Sequence, residues 1–126
     1  MKIWKSHPNY IEFAGPISDR KELARVYAKA RGFVLFSIFE SLSLSTLEAA
    51  AAGCPLLVTD LPWARTTLGE NAAYFPAGAT VEQAAGIIKD FSQNIAAQPK
   101  PPKPLRWMDV ANQLVTIYAA VKARVG

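Results

Sequence analysis

Apolar residues in this chain fall into short continuous runs, and between the runs they recur at helical spacing. Residues 33–36 (Phe-Val-Leu-Phe) and 56–59 (Leu-Leu-Val-Thr) contain almost no polar member, the pattern expected of strands covered on both faces. Residues 10–14 (Tyr-Ile-Glu-Phe-Ala) form a shorter β-type run ended by Gly15 and Pro16, and residues 72–75 another, ended by Pro76. Between these runs the helix signals are specific. Asp19 with Glu22 three residues on has the form of a capping box, and Leu23, Val26, Tyr27 and Ala30 supply an apolar stripe to a helix that reaches about Lys29, with Gly32 as its stop. A second helix is predicted from Leu44 to about Ala52; Gly53 suits a left-handed cap there, and Pro55 forbids continuation. A short helix around residues 63–68 stops at Gly69. Thr80 and Gln83 open a further helix whose Ala84, Ile87, Ile88 and Phe91 share a face. Val110, Leu114, Ile117, Tyr118 and Val121 then form the stripe of a closing helix.

Alternating strands and helices, with strands that are apolar throughout, predict an α/β fold built on a parallel sheet of about four strands with right-handed crossovers. The segment Pro99-Lys-Pro-Pro-Lys-Pro104 carries too few backbone donors for helix or sheet and is expected to be extended and semi-rigid. The expected layout is therefore one domain: a body over residues 1–98, a proline-rich linker over 99–104 and a closing helix over 105–126.

Composition adds limits. A chain of 126 residues, 51% hydrophobic and 19% charged, suits a single soluble globular domain. No run of about 18 apolar residues suggests a membrane span, and residues 1–5 do not read as a secretory leader. Cys54 is the single cysteine, so no internal disulfide is available; placed between a helix stop and a strand, it reads as a buried structural thiol. These features favour the cytoplasm. The net charge of +4 is unevenly spread: up to Arg31 there are seven Lys/Arg against three Asp/Glu, over residues 32–98 two against six, and from Pro99 onward five against one. The basic ends lack the interleaved aromatics of a nucleic-acid surface, whereas peripheral contact with an anionic membrane remains open. No metal-ligand spacing and no glycine-rich phosphate loop is present. His7, before Pro8, reads as a turn residue.

In an open parallel sheet, ligands bind at the carboxyl ends of the strands. Two polar segments are expected there: residues 37–43, which lead into the helix bearing Glu48, and Thr59-Asp60. Glu40 lies just past a strand and Glu48 in the early turns of the following helix, so both carboxylates can face one crevice, with free N–H groups of the helix start between them. An ionised carboxylate is a strong acceptor for sugar hydroxyls; a ribose and a hexose would use one glutamate each. By spacing alone, two glutamates on a solvated surface are the commoner meaning.

The stretch from Phe33 to Asp60 resembles the signature of retaining glycosyltransferase family 4 (glycosyl transferases group 1), including the glutamate pair Glu40 and Glu48 with seven residues between, then Gly53, Pro55 and a strand ending at Asp60. The likeness extends upstream to residues 10–15, Ser18, Asp19, Leu23 and Tyr27. Downstream it takes in residues 61–65, Gly69, residues 72–76, and Trp107 with Tyr118 eleven positions on.

The resemblance implies a partial Rossmann-like sheet of the GT-B C-terminal-domain type. It implies a nucleotide-diphospho-sugar as donor substrate with no other cofactor. Glu48 would hold the ribose hydroxyls and Glu40 the donor sugar, and the backbone amides of Leu42, Ser43 and Leu44 would approach sugar and diphosphate. Where the family usually reads Glu-Gly-Phe-Gly, this chain has Glu40-Ser41-Leu42-Ser43, whose side chains crowd the approach that glycine permits; a glutamate common in the family is Thr66 here. The family's diphosphate-neutralising Arg and Lys and its acceptor domain belong to earlier elements, so no catalytic residue and no metal site is assigned, and the chain alone is expected to be inactive. Three classes of function stay open: a piece of a hexosyltransferase, a subunit of a split glycosyltransferase completed by a partner chain, and a non-catalytic interaction module. By the same resemblance residues 33–36 are expected at a raw sheet edge. Residues 10–14, a second copy, or a partner would cover it, with Trp4, Phe13 and Phe33 adding apolar surface; self-association is the favoured outcome.

Overall fold

The computed structural model describes His7 and residues 9–125. Its centre is β2 (Leu56–Thr59), buried along its whole length. β1 (Phe33–Leu35) pairs with it on one side and β3 (Ala73–Phe75) on the other, both parallel, in the order β1-β2-β3. Because successive side chains of a strand alternate in direction, the β2 run divides between two cores. Leu56 and Val58 join Ala49, Ala50, Cys54, Ala64 and Leu68, while Leu57 meets Phe75 and Phe91. A sheet apolar on both faces needs a cover on each. The first face carries α1 (Arg20–Lys29), α2 (Leu44–Ala51) and α3 (Pro62–Leu68). The second carries α4 (Val81–Gln93) and the 3-10 turn Ile95–Ala97. The fold is thus α/β in three layers, as the alternation of runs and stripes predicts.

Local chemistry fixes the ends of these helices. The Asp19 carboxylate accepts from the backbone N–H of Lys21 at 2.8 Å and of Glu22 at 3.4 Å. Glu22 turns instead to Arg25 at 3.3 Å. Thr80 and Gln83 complete both arms of a capping box, at 3.3 and 2.9 Å. Gly53, at φ 78°, ends α2 in the left-handed conformation that only glycine adopts without strain. Pro62 sits in the first turn of α3, where its missing N–H is not needed.

Three expectations need correction. Residues 10–14 form no strand: Tyr10 and Ile11 both donate to the His7 carbonyl in a turn, and Tyr10, Ile11 and Phe13 are exposed. A short apolar run forms a strand only against a neighbouring ladder, and among the described residues no strand lies beside it. The sheet they form accordingly has three strands, not four. β1 is half-buried rather than covered on both faces, because it is an edge strand among the described residues. The expected stripe of α1 is thin: no residue of that helix is fully buried, and Tyr27 alone reaches the core, edge-on to Phe33 with ring centroids 6.0 Å apart. Trp4, expected near the β1 edge, lies outside the described residues. The linker over 99–104 has no regular structure, and α5 (Trp107–Val125) follows it.

Gly32 is where β1 enters the sheet beneath α4. A methyl group on its α-carbon would lie 2.6 Å from Cε1 of Phe91 and 3.1 Å from Cδ1 of Ile95. Gly32→Ala is therefore expected to destabilise the fold by about 1–3 kcal/mol through overpacking, read as a lower denaturant midpoint. An unchanged midpoint would mean that Phe91 swings aside freely.

Candidate functional site

All three strands run in one direction, so their carboxyl ends share one edge of the sheet. The loop after β1 leaves from that edge and holds Glu40, which is half-buried, and exposed Leu42. Ser37 Oγ bonds the carbonyl of Phe39 at 3.1 Å and steadies the first half of the loop. Ser43, buried at the end of the loop, is the N-cap of α2. Its Oγ accepts from the Thr46 N–H at 3.3 Å and from Thr46 Oγ1 at 3.0 Å, and lies 3.1 Å from Ser45 Oγ. The side chain that replaces a hydrogen atom at this point is therefore spent on the helix start itself. Leu44, the first residue of α2, is exposed.

Glu48 lies in the second turn of α2, on the side that faces α1. Its carboxylate meets the Arg20 guanidinium at 2.8 Å, with 29% of the glutamate side chain still exposed. Arg20, Tyr27 and Glu48, with Leu23, Ala24, Ala51 and Ala52, line a cleft of about 280 Å³ between the two helices. The Tyr27 hydroxyl is held above its usual pKa, first by burial and then by the neighbouring Glu48 charge. Glu40 does not line this cleft. Along the chain Ser43 separates Glu40, in the loop, from Glu48, in the second turn of α2, and the structure gives only Glu48 a place in this cleft. Arg20 is the residue that spacing did not reveal: it follows the Asp19 cap, and nothing local marks it as the counter-ion of a glutamate on another helix.

Asp60, at the carboxyl end of β2, is taken up by structure. Its two oxygens accept from Nε and an Nη of Arg65, each at 2.7 Å, and its N–H donates to the Phe75 carbonyl at 2.8 Å. The same guanidinium lies 3.7 Å above the Tyr74 ring, and Tyr74 donates its hydroxyl to the Gly69 carbonyl at 2.6 Å. Thr59 Oγ1 donates to the Leu35 carbonyl at 3.3 Å, tying β2 to the end of β1. Cys54 is buried with Sγ 3.8 Å from the Ala30 carbonyl, and burial pushes its thiol pKa up, which disfavours a thiolate. Among the described residues no three His, Cys, Asp or Glu side chains gather to hold a metal ion.

The family model described as glycosyl transferases group 1 matches residues 2–94. The chain belongs to this family. No curated protein and no solved structure matches it. The group 1 match spans all three strands, α1 to α3, and the loop and helix that carry Glu40 and Glu48. It stops before the 3-10 turn, so the proline-rich linker and α5 lie beyond it. Among the described residues of this group 1 glycosyl transferase chain, no helix is long and apolar enough to cross a membrane.

The Asp60–Arg65 pair sets a pH dependence. The bidentate bonds from Arg65 hold the Asp60 carboxyl below its usual pKa. A depressed folded-state pKa contributes stability that is full above the ordinary carboxylate pKa and lost as pH falls through the folded value. Asp60→Asn is therefore expected to be less stable than the parent at neutral pH, by a small margin because the pair is exposed. The difference should close in acid, as read from denaturation midpoints across that range. A difference that persists unchanged at low pH would assign it to packing instead.

Proposed function

We propose that this chain is the donor half of a retaining family 4 hexosyltransferase, holding a nucleotide-diphospho-sugar for transfer to a saccharide or lipid acceptor. The observation that carries the reading is the position of α2. It begins directly after the loop bearing Glu40, and its second half, from Glu48 on, lines the cleft of about 280 Å³. In this reading Glu48 accepts from the ribose hydroxyls and Glu40 from hydroxyls of the hexose. The N–H groups of Leu42, Ser43 and Leu44 approach the diphosphate, where the helix start favours negative charge. Arg20 is exposed, so its pairing with Glu48 is weak and ribose hydroxyls can displace it. The Ser43 side chain competes for the same helix start, which supports weak donor binding.

Weak binding of this kind corresponds to a millimolar Kd, about 4 kcal/mol. In NMR titrations with UDP- and GDP-sugars, shifts are expected around α2, and Glu48→Ala should weaken them about tenfold, as for the loss of hydrogen bonds to a charged acceptor. Shifts that Glu48→Ala leaves untouched would show the ribose assignment to be wrong.

Retaining transfer needs positive charge on the leaving diphosphate. Arg65 is held by Asp60 in two short bonds, so we assign that clamp, and the acceptor site, to other polypeptide. Among the described residues no strand pairs with the outer edge of β1, and a second copy or a complementing glycosyltransferase chain would add one there. The purified chain is expected to run as a dimer in light scattering at micromolar concentration and to leave nucleotide sugars intact. A clean monomer would remove the second copy as the edge cover, and robust turnover abolished by Glu40→Ala would overturn the inactive reading.

A further inference from the structure

The segment offered to the donor carries acid and no base. Between Gly32 and Ala64 the chain has Glu40, Glu48 and Asp60 and not one Lys or Arg. Asp60 is matched by Arg65 in the next helix. Glu48 is matched from farther away: its Oε1 meets Nη2 of Arg20, the first residue of α1, at 2.8 Å. Of the side chains that line the cleft between α1 and α2, these two alone are charged at neutral pH, because burial and the Glu48 carboxylate keep the Tyr27 hydroxyl protonated.

The position of Arg20 is not explained by its own helix. A cation in the first turn faces the positive end of the macrodipole and N–H groups that lack partners, so it works against α1. Nor does the pair add much to the fold, since the Arg20 side chain is 79% exposed and exposed pairs contribute little. What the contact does change is the charge of the cleft. Glu48 lies four residues beyond Leu44, about 6 Å along the α2 axis. That is inside the screening length of about 8 Å at physiological salt. A bare carboxylate there would repel a diphosphate approaching the α2 start, while a compensated one keeps its lone pairs for hydroxyl groups.

We propose that Arg20 is a positioning residue for the donor that acts through Glu48: it cancels the carboxylate's charge, so that an anionic nucleotide can come within hydrogen-bonding reach. The contact runs through one nitrogen and one oxygen. A ribose hydroxyl that takes over that oxygen leaves the guanidinium tethered beside the carboxylate, where its charge still counts. The inference rests on the donor reading of Glu48 and adds to it the source of the compensating charge.

The test is a double-mutant cycle on the full chain, with UDP and GDP titrated by NMR at low salt. Arg20→Gln is expected to weaken binding about threefold, the size of an exposed charge pair, and the defect should shrink as salt is added. In a Glu48→Gln background, which keeps an acceptor but no charge, the same change should have no effect. Arg20→Lys should bind like the parent, since charge and not the guanidinium fork is what acts. The Arg20 variants change an exposed side chain, so their denaturation midpoints should match the parent's. Unchanged or tighter binding by Arg20→Gln would make Arg20 a bystander or a competitor. An equal loss in both backgrounds would mean direct attraction to the phosphates, and a Lys variant as weak as the Gln variant would mean recognition by shape. Each of these overturns the proposal and leaves the donor reading standing. If neither nucleotide binds the parent, the donor reading itself falls and the role of Arg20 with it.

Discussion

Everything in this molecule hangs on the pairing of β2 on both of its sides. A strand hydrogen-bonded left and right has no backbone group left for water, and with helices above and below it no side chain left either. Leu56, Leu57, Val58 and Thr59 are the four consecutive residues that meet both demands, each almost wholly inaccessible. Parallel pairing then forces the chain to cross from one end of the sheet to the other between strands, which α2 and α3 do on one face. All functional loops consequently leave from the same edge. The candidate site is a by-product of that directionality: the loop that holds Glu40 and the start of α2 at Ser43 follow the end of β1 because a strand must end before its crossover helix can begin.

How far this was legible in the chain depends on whether the information was local. The β2 run could be read directly, because three successive apolar positions, Leu56 to Val58, are themselves the consequence of double coverage. Helix ends were legible for the same reason: Asp19, Thr80 with Gln83, Gly53 and Pro62 act on backbone groups within a few residues. What depended on neighbours far along the chain was not legible. Residues 33–36 look as apolar as residues 56–59, but only the second run has a strand on each side, so the first is half-buried. Residues 10–14 have the composition of a short strand and, among the described residues, no ladder to join. The salt bridge between Arg20 and Glu48 follows from the packing of α1 on α2, and no spacing encodes it. The converse holds at Asp60, where a carboxylate at a strand end looks available for a ligand and is instead occupied by Arg65 in the next helix.

The group 1 membership covers the body and ends before α5, which divides the chain by physics as well as by ancestry. The body buries its apolar residues against itself. The terminal helix carries a stripe of similar character and shows it to the surroundings. Its first turn is capped locally by Asp109, which accepts from the backbone and guanidinium of Arg106, and Trp107 and Val110 share a cleft with Leu42 and Leu44. Two regions with the same composition thus differ in what completes them.

Ser43 carries a consequence of its own. A hydroxyl has one proton to give and two lone pairs to offer, and here Thr46 supplies an N–H and an O–H while the Ser45 hydroxyl lies within hydrogen-bond distance. The oxygen caps the Thr46 N–H from within the chain, a covalently tethered acceptor whose effective concentration never falls. The start of α2 is consequently held in shape by its own sequence, with Thr46 as the one backbone donor that the Ser43 side chain takes up.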